Sequence, residues 1–256
     1  MIKTLFIVPY RNREAHKVHF LKYMEYLLED YDKNSFDILL IHQKDDRPFN
    51  RGAVKNIGFI YAREKYSNYK DINFVFNDID TLPCIKNTFN YETKNGVVKH
   101  YYGFDACLGG IFSIKGADFE KINGFPNLWT WGFEDNIIYY RVMKELELDR
   151  SQFVKFGNME VIQTIDSLTK ITEKTIRPVK ELMNNNNGLS NIKNYVFNYN
   201  IEGLITKYGG VNSHMAIRCA ELNLTAAIGV GEKIFVDLKN SSKVIIDPKN
   251  KILETI

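Results

Sequence analysis

Short apolar runs alternate with amphipathic segments along the first half of the chain. An apolar run at Thr4–Val8 ends before a proline, and Glu14–Asp30 then carries apolar residues at helical spacing. A second run, Phe36–His42, leads into a segment with helical spacing from about residue 52, and Asn50 at its start is a candidate N-cap. This alternation predicts strand, loop and helix units, and therefore an α/β fold with a mostly parallel sheet.

The third apolar run lies within NFVFNDID (Asn73–Asp80) and ends in two carboxylates separated by one residue. Its near-continuous hydrophobicity predicts a strand that is covered on both faces. Asp78 and Asp80 then project in similar directions at the carboxyl edge of the sheet, where open α/β sheets bind ligands. Two like charges this close favour a hard cation such as Mg²⁺ or Mn²⁺, which can in turn hold a diphosphate. The alternative interpretation is a polar turn after a strand, because Asp is common in turns.

The pattern is less regular after this DxD pair. Residues 84–100 predict a loop, with a turn signal at Asn95 and Gly96. Next, Gly109 and Gly110 interrupt an apolar strand, which indicates either a bulge or a close approach of the backbone to a ligand. Three further elements are predicted: a short helix over 117–122, a longer helix over 135–148 and a strand over 159–165.

Candidate ligand-binding residues follow the first two strands. Arg11 and Arg13 lie in the loop after the first strand, where a guanidinium can pair with a phosphate or a base edge. Phe49 and Arg51 lie beside the N-terminus of the second helix, which offers an aromatic face for uracil next to a cation. The structural alternatives are solvated arginines, and a hydrophobic staple beside a surface charge.

Both tryptophans of the chain stand in one irregular segment, just before two acids. Trp129 and Trp131 are followed by Glu134 and Asp135. Aromatic platforms with adjacent acids are typical of sugar sites, so we expect Trp131 to stack on a sugar ring. The two acids also begin the predicted helix, and simple capping of its N-terminus is the structural alternative.

Composition narrows the function classes. At 256 residues the chain is long enough for one α/β domain with a full core. The net charge of +3 is small and the charges are scattered, which argues against nucleic acid as a partner. The 3 cysteines are widely spaced, which indicates a reducing compartment and no disulfide framework.

The chain enters its first strand directly. No signal peptide or membrane-spanning run precedes that strand in this sequence, so we expect a soluble, cytoplasmic protein without a membrane segment. The abundance of Asn, Lys and Ile is typical of an AT-rich genome and favours a viral or microbial origin.

Six motifs stand in order along the chain: PYRNR, FNRGA, FNDID, LGG, NGFPN and WGFEDN. Together they make the chain resemble the β-1,4-galactosyltransferases and related xylosylprotein transferases of glycosyltransferase family seven. The resemblance covers residues 7–141 and returns weakly at 187–197. It implies the GT-A fold, a Rossmann-like mixed sheet with flanking helices. It also implies transfer of a sugar from a UDP donor with inversion, aided by Mn²⁺ or Mg²⁺.

The resemblance assigns an expected role to each matching residue. The donor side comprises Pro9, Arg11, Arg13, Phe49, Arg51, Asp78, Ile79, Asp80, Gly109, Gly110 and Trp131, with Asp80 as the direct metal ligand. The acceptor side comprises Trp131, Glu134, Asp135 and Asn136, and the catalytic acids are Glu134 and Asp135. We expect Asp135 to be the general base, because an inverting transfer needs a carboxylate that takes the proton of the attacking hydroxyl.

Three features depart from the family's pattern. The family supplies a later histidine as a further metal ligand, whereas this chain has Gln163, Thr164 and Asp166 there as candidate oxygen ligands. Asn136 replaces a third acid, and a phenylalanine replaces a glycine, so the acceptor pocket must differ. Cys107 stands where the family often has a large tyrosine, and we therefore expect UDP-GalNAc to be accepted as well as, or instead of, UDP-Gal.

The sequence thus predicts an inverting transferase that moves Gal or GalNAc to a carbohydrate or glycoconjugate acceptor. Residues 1–200 are expected to form the GT-A catalytic domain, and 201–256 a C-terminal extension packed on it. A competing hypothesis is a non-catalytic relative that binds a sugar or nucleotide and has an incomplete metal site. The presence of both donor-side and base-side acids favours the enzyme, and the missing histidine favours the binder. A nucleotidyltransferase is less supported, because the chain has no Gly-rich triphosphate loop near its first strand.

Overall fold

The computed structural model describes residues 1–129, 132–164 and 187–192, followed by the short segments 203–206, 225–228, 232–234, 244–247 and 252–255. The chain divides into two compact units, Met1–Tyr195 and Val196–Ile256. The first unit holds every site residue that the structure describes.

The described part of the first unit contains strands β1 to β9 and helices α1 to α4. The strands are β1 (Thr4–Tyr10), β2 (Phe36–His42), β3 (Asn73–Asn77), β4 (Thr81–Pro83), β5 (Val97–Gly103), β6 (Ile111–Lys115), β7 (Glu147–Asp149), β8 (Val154–Lys155) and β9 (Val161–Gln163). The helices are α1 (Glu14–Leu27), α2 (Arg51–Lys65), α3 (Gly116–Lys121) and α4 (Glu134–Glu145), with short 3₁₀ helices at Tyr69–Asp71 and Leu189–Asn191.

The main sheet is mixed, in the order β2-β1-β3-β6-β5-β7, with β8 also paired to β5. Strand β1 runs parallel to both β2 and β3, whereas β6 is antiparallel to β3 and β5. A separate two-stranded sheet pairs β4 with β9 and sets Thr81 opposite Gln163. The carboxyl end of β3 therefore leads directly into the segment that carries the DxD pair.

Alternate residues of β1 and β3 enter two hydrophobic clusters. Successive side chains of a strand point to opposite faces, so Leu5 and Phe74 pack in one cluster and Phe6 and Val75 in the other. The first cluster includes Phe59 of α2, and the second includes residues of α1. Helices therefore cover both faces of the sheet, as the continuous apolar runs predict.

Several predicted element boundaries are confirmed. Helix α2 begins at Arg51, and the Asn50 side chain caps it by accepting a hydrogen bond from Ala53 N at 2.9 Å. The predicted turn at residues 95 and 96 is present, since Gly96 has a φ of 80°. The predicted strand Phe36–His42 matches β2 residue for residue.

Three predicted boundaries are wrong. Strand β1 continues through Pro9 to Tyr10 and pairs with β2 up to that residue. Its pairing with β3 covers only Thr4–Ile7, so Pro9 lies beyond that ladder, where its missing N–H costs least. Residues 97–100 belong to β5 rather than to a loop. Helix α4 ends at Glu145 and β7 follows at once, because that segment pairs in parallel with the start of β5.

The second unit contains two strand pairs among its described residues. Gly203–Thr206 (β10) pairs in parallel with Thr225–Ile228 (β11), and Val244–Asp247 (β12) pairs antiparallel with Ile252–Thr255 (β13). None of the helices that the structure describes has both the length and the apolar character needed to span a bilayer.

Candidate active site

One arginine joins the acid that follows β3 to the two acids that begin α4. Arg51, the first residue of α2, donates a hydrogen bond to Asp78 Oδ2 at 3.0 Å. The same guanidinium donates to Glu134 Oε1 at 2.6 Å and to Asp135 Oδ2 at 2.6 Å. Three separate elements of the fold therefore meet at this guanidinium.

A second cation from the same face of α2 approaches two of these acids. Residues four apart on a helix are neighbours, and the Lys55 ammonium lies 3.3 Å from Asp78 Oδ1 and 3.6 Å from Asp135 Oδ1. The Lys55 side chain is 1% exposed, and its ammonium lies 4.8 Å from the centre of the Phe125 ring. Each aspartate thus faces Arg51 through one oxygen and Lys55 through the other.

These contacts set the ionisation of the two aspartates. Burial acts to raise the pKa of Asp78, but the charges of Arg51 and Lys55 outweigh it and hold that pKa below its ordinary value. Burial raises the pKa of Asp135 to about 6 against the same two cations, and the charges of Glu134 and Asp78 add to the rise. Asp78 is therefore ionised at neutral pH, whereas Asp135 titrates in the range that suits a general base.

Glu134 presents an oxygen that lacks a hydrogen-bond donor. The residue is 3% exposed, and its Oε2 is buried without a hydrogen-bond partner in the described part of the chain. Leaving a buried acceptor unsatisfied costs about 1–3 kcal/mol, and more for a charged group. A hydroxyl donated by a ligand would therefore be stabilised at this oxygen.

The glycine pair lets the backbone approach Asp135. A Cβ at Gly109 would lie 2.7 Å from Asp135 Oδ2, closer than real contacts allow. Gly110 has a φ of 72°, and a Cβ there would lie 2.3 Å from the carbonyl oxygen of Tyr102. The Gly110 carbonyl accepts a hydrogen bond from Asp78 N at 3.0 Å. The pair therefore lies against the same two aspartates that Arg51 joins.

Asp80 lies at the start of the small β4–β9 sheet. Its Oδ2 accepts a hydrogen bond from Arg13 at 2.7 Å, and its Oδ1 accepts one from the Thr81 hydroxyl at 3.1 Å. Its main-chain carbonyl accepts from Thr164 N at 2.9 Å. The pairing of β4 with β9 therefore brings the candidate ligand region beyond residue 160 next to the DxD pair.

The oxygens near Asp80 fit a hard divalent cation in their chemistry. A carboxylate from Asp80, an amide oxygen from Gln163 and a hydroxyl from Thr164 are ligand types that Mg²⁺ and Mn²⁺ accept. Within the described residues, no three His, Cys, Asp or Glu side chains form a group that could hold a metal ion. Asp166, the third candidate oxygen ligand, lies outside the described residues.

The remaining residues predicted for the donor side take varied positions. Pro9 is part of β1, Phe49 is half-buried just before the cap of α2, and Ile79 is 4% exposed in the core. The Arg11 guanidinium donates to the carbonyl oxygen of Arg47, which ties the loop after β1 to the loop before α2.

The segment that holds the two tryptophans is described except for residues 130 and 131. Trp131 lies outside the described residues, whereas Trp129 is 37% exposed with the Arg47 guanidinium 3.8 Å from its ring centre. Phe133 has a φ of 67° at the position before α4, an unusual conformation for a bulky residue. Asn136 donates a hydrogen bond to the carbonyl oxygen of Ala106 at 3.0 Å.

Two residues of this site are not singled out by sequence reasoning. Lys55 could have been found from its spacing, four residues after Arg51 on the same helix. His100 is buried, and its Nε2 lies 3.0 Å from the carbonyl oxygens of both Tyr102 and Gly109. Burial lowers the pKa of His100 to about 4, so the ring is neutral and supports the glycine pair as a hydrogen-bond donor. No sequence signal marks His100.

Family models match both units of the chain. Residues 1–92 match the N-terminal region of glycosyl transferase group 7, and residues 92–164 match the N-terminal domain of galactosyltransferase. Residues 191–251 match the mobile domain of PEP-utilising enzymes.

Curated relatives resemble more than half of the chain. β-1,4-Galactosyltransferase 1 of Mus musculus is 33% identical over 163 residues, which cover 59% of this chain and 40% of the mouse protein. The Homo sapiens protein of the same name is 32% identical over 150 residues, which cover 55% of this chain and 37% of the human protein. The chain thus spans less than half the length of these relatives.

Solved structures resemble a larger share of the chain. The catalytic domain of Drosophila β-1,4-galactosyltransferase 7 in complex with xylobiose has a TM-score of 0.62 and 26% identity, covering 75% of this chain and 85% of that chain. A mutant of that enzyme in complex with manganese, UDP-Gal and xylobiose has a TM-score of 0.63 and 24% identity, with the same coverage.

The mixed sheet with helices on both faces is the GT-A glycosyltransferase fold, and that prediction is confirmed. Over residues 1–164 the chain belongs to glycosyltransferase family seven, the family that its six motifs resemble.

Proposed function

We propose that this protein is an inverting glycosyltransferase that moves galactose or N-acetylgalactosamine from a UDP-sugar to a hydroxyl of a carbohydrate acceptor. One observation carries the proposal: the Arg51 guanidinium binds both Asp78 on the donor side and Asp135 on the base side. The two halves of a transfer site thus lie within one hydrogen-bonded cluster. A protein that only binds a sugar or a nucleotide has no need of both halves.

The chemistry requires one proton transfer by the protein. Asp135 accepts the proton of the acceptor hydroxyl while the hydroxyl oxygen attacks C1 of the donor sugar. The bond between C1 and the diphosphate oxygen breaks, its electron pair leaves with UDP, and the configuration at C1 inverts. General-base catalysis of this kind contributes about 10²–10⁴-fold in rate. The buried Oε2 of Glu134 accepts a second hydroxyl of the acceptor and orients it.

Asp80 is the proposed ligand of a divalent cation. Mn²⁺ or Mg²⁺ bound by Asp80, with oxygen from Gln163, Thr164 or Asp166, would supply positive charge beside the departing diphosphate. Arg13 pairs with the same carboxylate, 2.7 Å from Asp80 Oδ2. Binding of a cation therefore competes with this ion pair.

The donor sugar depends on Cys107. This residue precedes the glycine pair and is partly buried, and it takes the place of a larger side chain in the family. We infer that the space it leaves accommodates an N-acetyl group. Calorimetric titration should show binding of UDP-GalNAc, and tight binding of UDP-Gal with none of UDP-GalNAc would exclude this specificity.

An assay of UDP release tests the proposed function. The full chain is incubated with Mn²⁺, with UDP-Gal or UDP-GalNAc and with a panel of simple sugars and glycosides. We expect acceptor-dependent release of UDP and a glycosylated product. UDP binding without turnover on any acceptor in the panel would favour the non-catalytic alternative.

A second candidate function concerns residues 191–251, because their match to a PEP-utilising mobile domain is independent of the glycosyltransferase match. We propose that this segment accepts the phosphoryl group of phosphoenolpyruvate. His214 is the histidine within this range, and a neutral imidazole is a competent nucleophile. The bond between phosphorus and the enol oxygen breaks, a bond from nitrogen to phosphorus forms, and the enolate takes a proton to become pyruvate.

Phosphoenolpyruvate labelled with ³²P tests this second function directly. We expect acid-labile label on the full chain and none on the His214→Ala variant. An unlabelled wild-type chain, or label that survives the substitution, would contradict it.

A further inference from the structure

Helix α2 carries two cations on one face, and each of them contacts the same pair of aspartates. Arg51 binds Oδ2 of Asp78 and Oδ2 of Asp135. Lys55, one helical turn later, faces Oδ1 of both residues at 3.3 Å and 3.6 Å. Arg51 alone would leave one oxygen of each aspartate without a cation.

The ammonium of Lys55 is sealed inside the protein. Its side chain is 1% exposed and lies beneath the Phe125 ring. Helix α2 packs closely on the segment around Pro126, because a Cβ at Gly52 would lie 2.1 Å from the carbonyl oxygen of that proline. Lys55 is therefore too buried to touch a substrate, and it acts only through the aspartates.

The cluster has an excess of negative charge without Lys55. Asp78, Glu134 and Asp135 carry three carboxylates, and Arg51 supplies one positive charge. Neither Asp78 Oδ1 nor Asp135 Oδ1 accepts a hydrogen bond in the described part of the chain. A buried lysine is itself costly to keep charged, so its presence between these two oxygens calls for a function.

We propose that Lys55 is a positioning residue for the transfer reaction: it keeps the Asp135 carboxylate ionised and aimed at the acceptor hydroxyl. This inference rests on the proposed function, since Asp135 is the base of that reaction. Lys55 shares the task with Arg51, and among the described residues it is the cation that faces the oxygen that Arg51 leaves open.

Charged or titratable groups from several elements surround Asp135 in the described part of the chain. Arg51 and Lys55 face it from α2, Asp78 from the end of β3, Glu134 from its own helix and Cys107 from the loop before the glycine pair. The two cations lower the pKa of Asp135, while burial and the two acids raise it. Loss of the Lys55 charge therefore moves the ionisation of Asp135 to higher pH.

The Lys55→Gln variant tests this inference, because it keeps a polar side chain of similar reach and removes the charge. Carbon-13 NMR of aspartate carboxyl groups, with the Asp135 signal assigned by its loss in Asp135→Asn, reports the ionisation directly. We expect the midpoint of Asp135 to rise by about 1–3 pH units in Lys55→Gln. The matched control is Lys65→Gln on the same helix, whose side chain is 42% exposed and pairs with Asp37.

The pH profile of kcat/KM provides the functional readout. Lys55→Gln should lose about tenfold or more at pH 5.5 and recover toward the wild-type rate as the pH rises. A merely structural role would lower the rate equally at every pH. An unchanged NMR midpoint, a uniform loss of rate, or a Lys55→Gln chain that is unfolded by circular dichroism would overturn the inference. Lack of turnover in the wild type would count against the proposed function and not against the role of Lys55. The NMR titration of Asp135 can be measured whether or not the protein turns over.

Discussion

Asp78 and Asp135 belong to different elements of the fold, yet one guanidinium binds both carboxylates, at 3.0 Å and 2.6 Å. Asp78 follows strand β3 of the main sheet, and Asp135 lies in the first turn of helix α4, far along the chain. Their union at Arg51 is the structural basis of the proposed transfer, because donor and acceptor must meet at one place. If Asp78 and Asp135 had opened onto different surfaces of the protein, this mechanism would have been excluded.

The first prediction concerns the pH dependence of the wild-type protein. Asp135 must be ionised to accept a proton, and its pKa is raised by burial to about 6. Activity should therefore be present above this pH and decline tenfold per unit below it. Measurement of kcat/KM from pH 4.5 to 8.5 should place the acidic limb near pH 6. A limb near the ordinary aspartate pKa would argue that another group limits the reaction.

The second prediction concerns the stability that Arg51 provides. Arg51→Met leaves three carboxylates close together without their guanidinium, and removal of one partner from a largely buried ion pair costs about 3–5 kcal/mol. Urea denaturation should detect this loss. The matched control is Arg63→Met, since Arg63 is 40% exposed and pairs with Glu120 on the surface. That variant should lose about 0–1 kcal/mol, and equal losses in the two variants would contradict the role given to Arg51.

The third prediction concerns Gly109. A methyl group at this position would lie 2.7 Å from Asp135 Oδ2, so Gly109→Ala should displace the base. A displacement of about 1 Å can reduce a rate about 10²-fold. Steady-state kinetics should show a fall in kcat, while UDP affinity, measured by calorimetry, stays near the wild-type value. A fully active Gly109→Ala protein would show that the glycine pair does not fix the base.

Much of this fold is predictable from its hydrophobic pattern, because its strands are continuous apolar runs. Asn50 likewise marks the start of α2 through its capping chemistry. Pro9 wrongly suggests the end of the first strand. The effect of its missing N–H depends on whether β3 extends that far, which the local sequence does not show.

The site itself is predictable only in part. The motifs identify Asp78 and Asp135 one at a time, but nothing local says that Arg51 binds both of them. The roles of Lys55 and His100 arise from packing between segments far apart in the chain, which no single motif encodes. The position of Trp131 stays a prediction, as do the packing of residues 201–256 on the first domain and the contribution of Asp166.

The fourth prediction concerns the proposed cation site at Asp80. Mn²⁺ binding can be measured from the loss of the electron paramagnetic resonance signal of the free ion. Binding should be detectable with UDP present, and the Mn²⁺ affinity should be at least tenfold weaker in Asp80→Asn. Thr81 and Thr164 donate hydrogen bonds to Asp80, so circular dichroism should verify that the variant is folded. Equal Mn²⁺ binding by both proteins would place the metal elsewhere.

The most direct test of the transfer mechanism is the Asp135→Asn variant, assayed in parallel for turnover and for UDP binding. The amide keeps the shape of the side chain but accepts no proton, so turnover should fall by about 10²-fold or more while UDP binds as in the wild type. A matched control is Asp105→Asn, an exposed acid paired with Lys155, which should leave both properties unchanged. Asp135→Asn protein that transfers sugar at the wild-type rate would contradict the proposed mechanism.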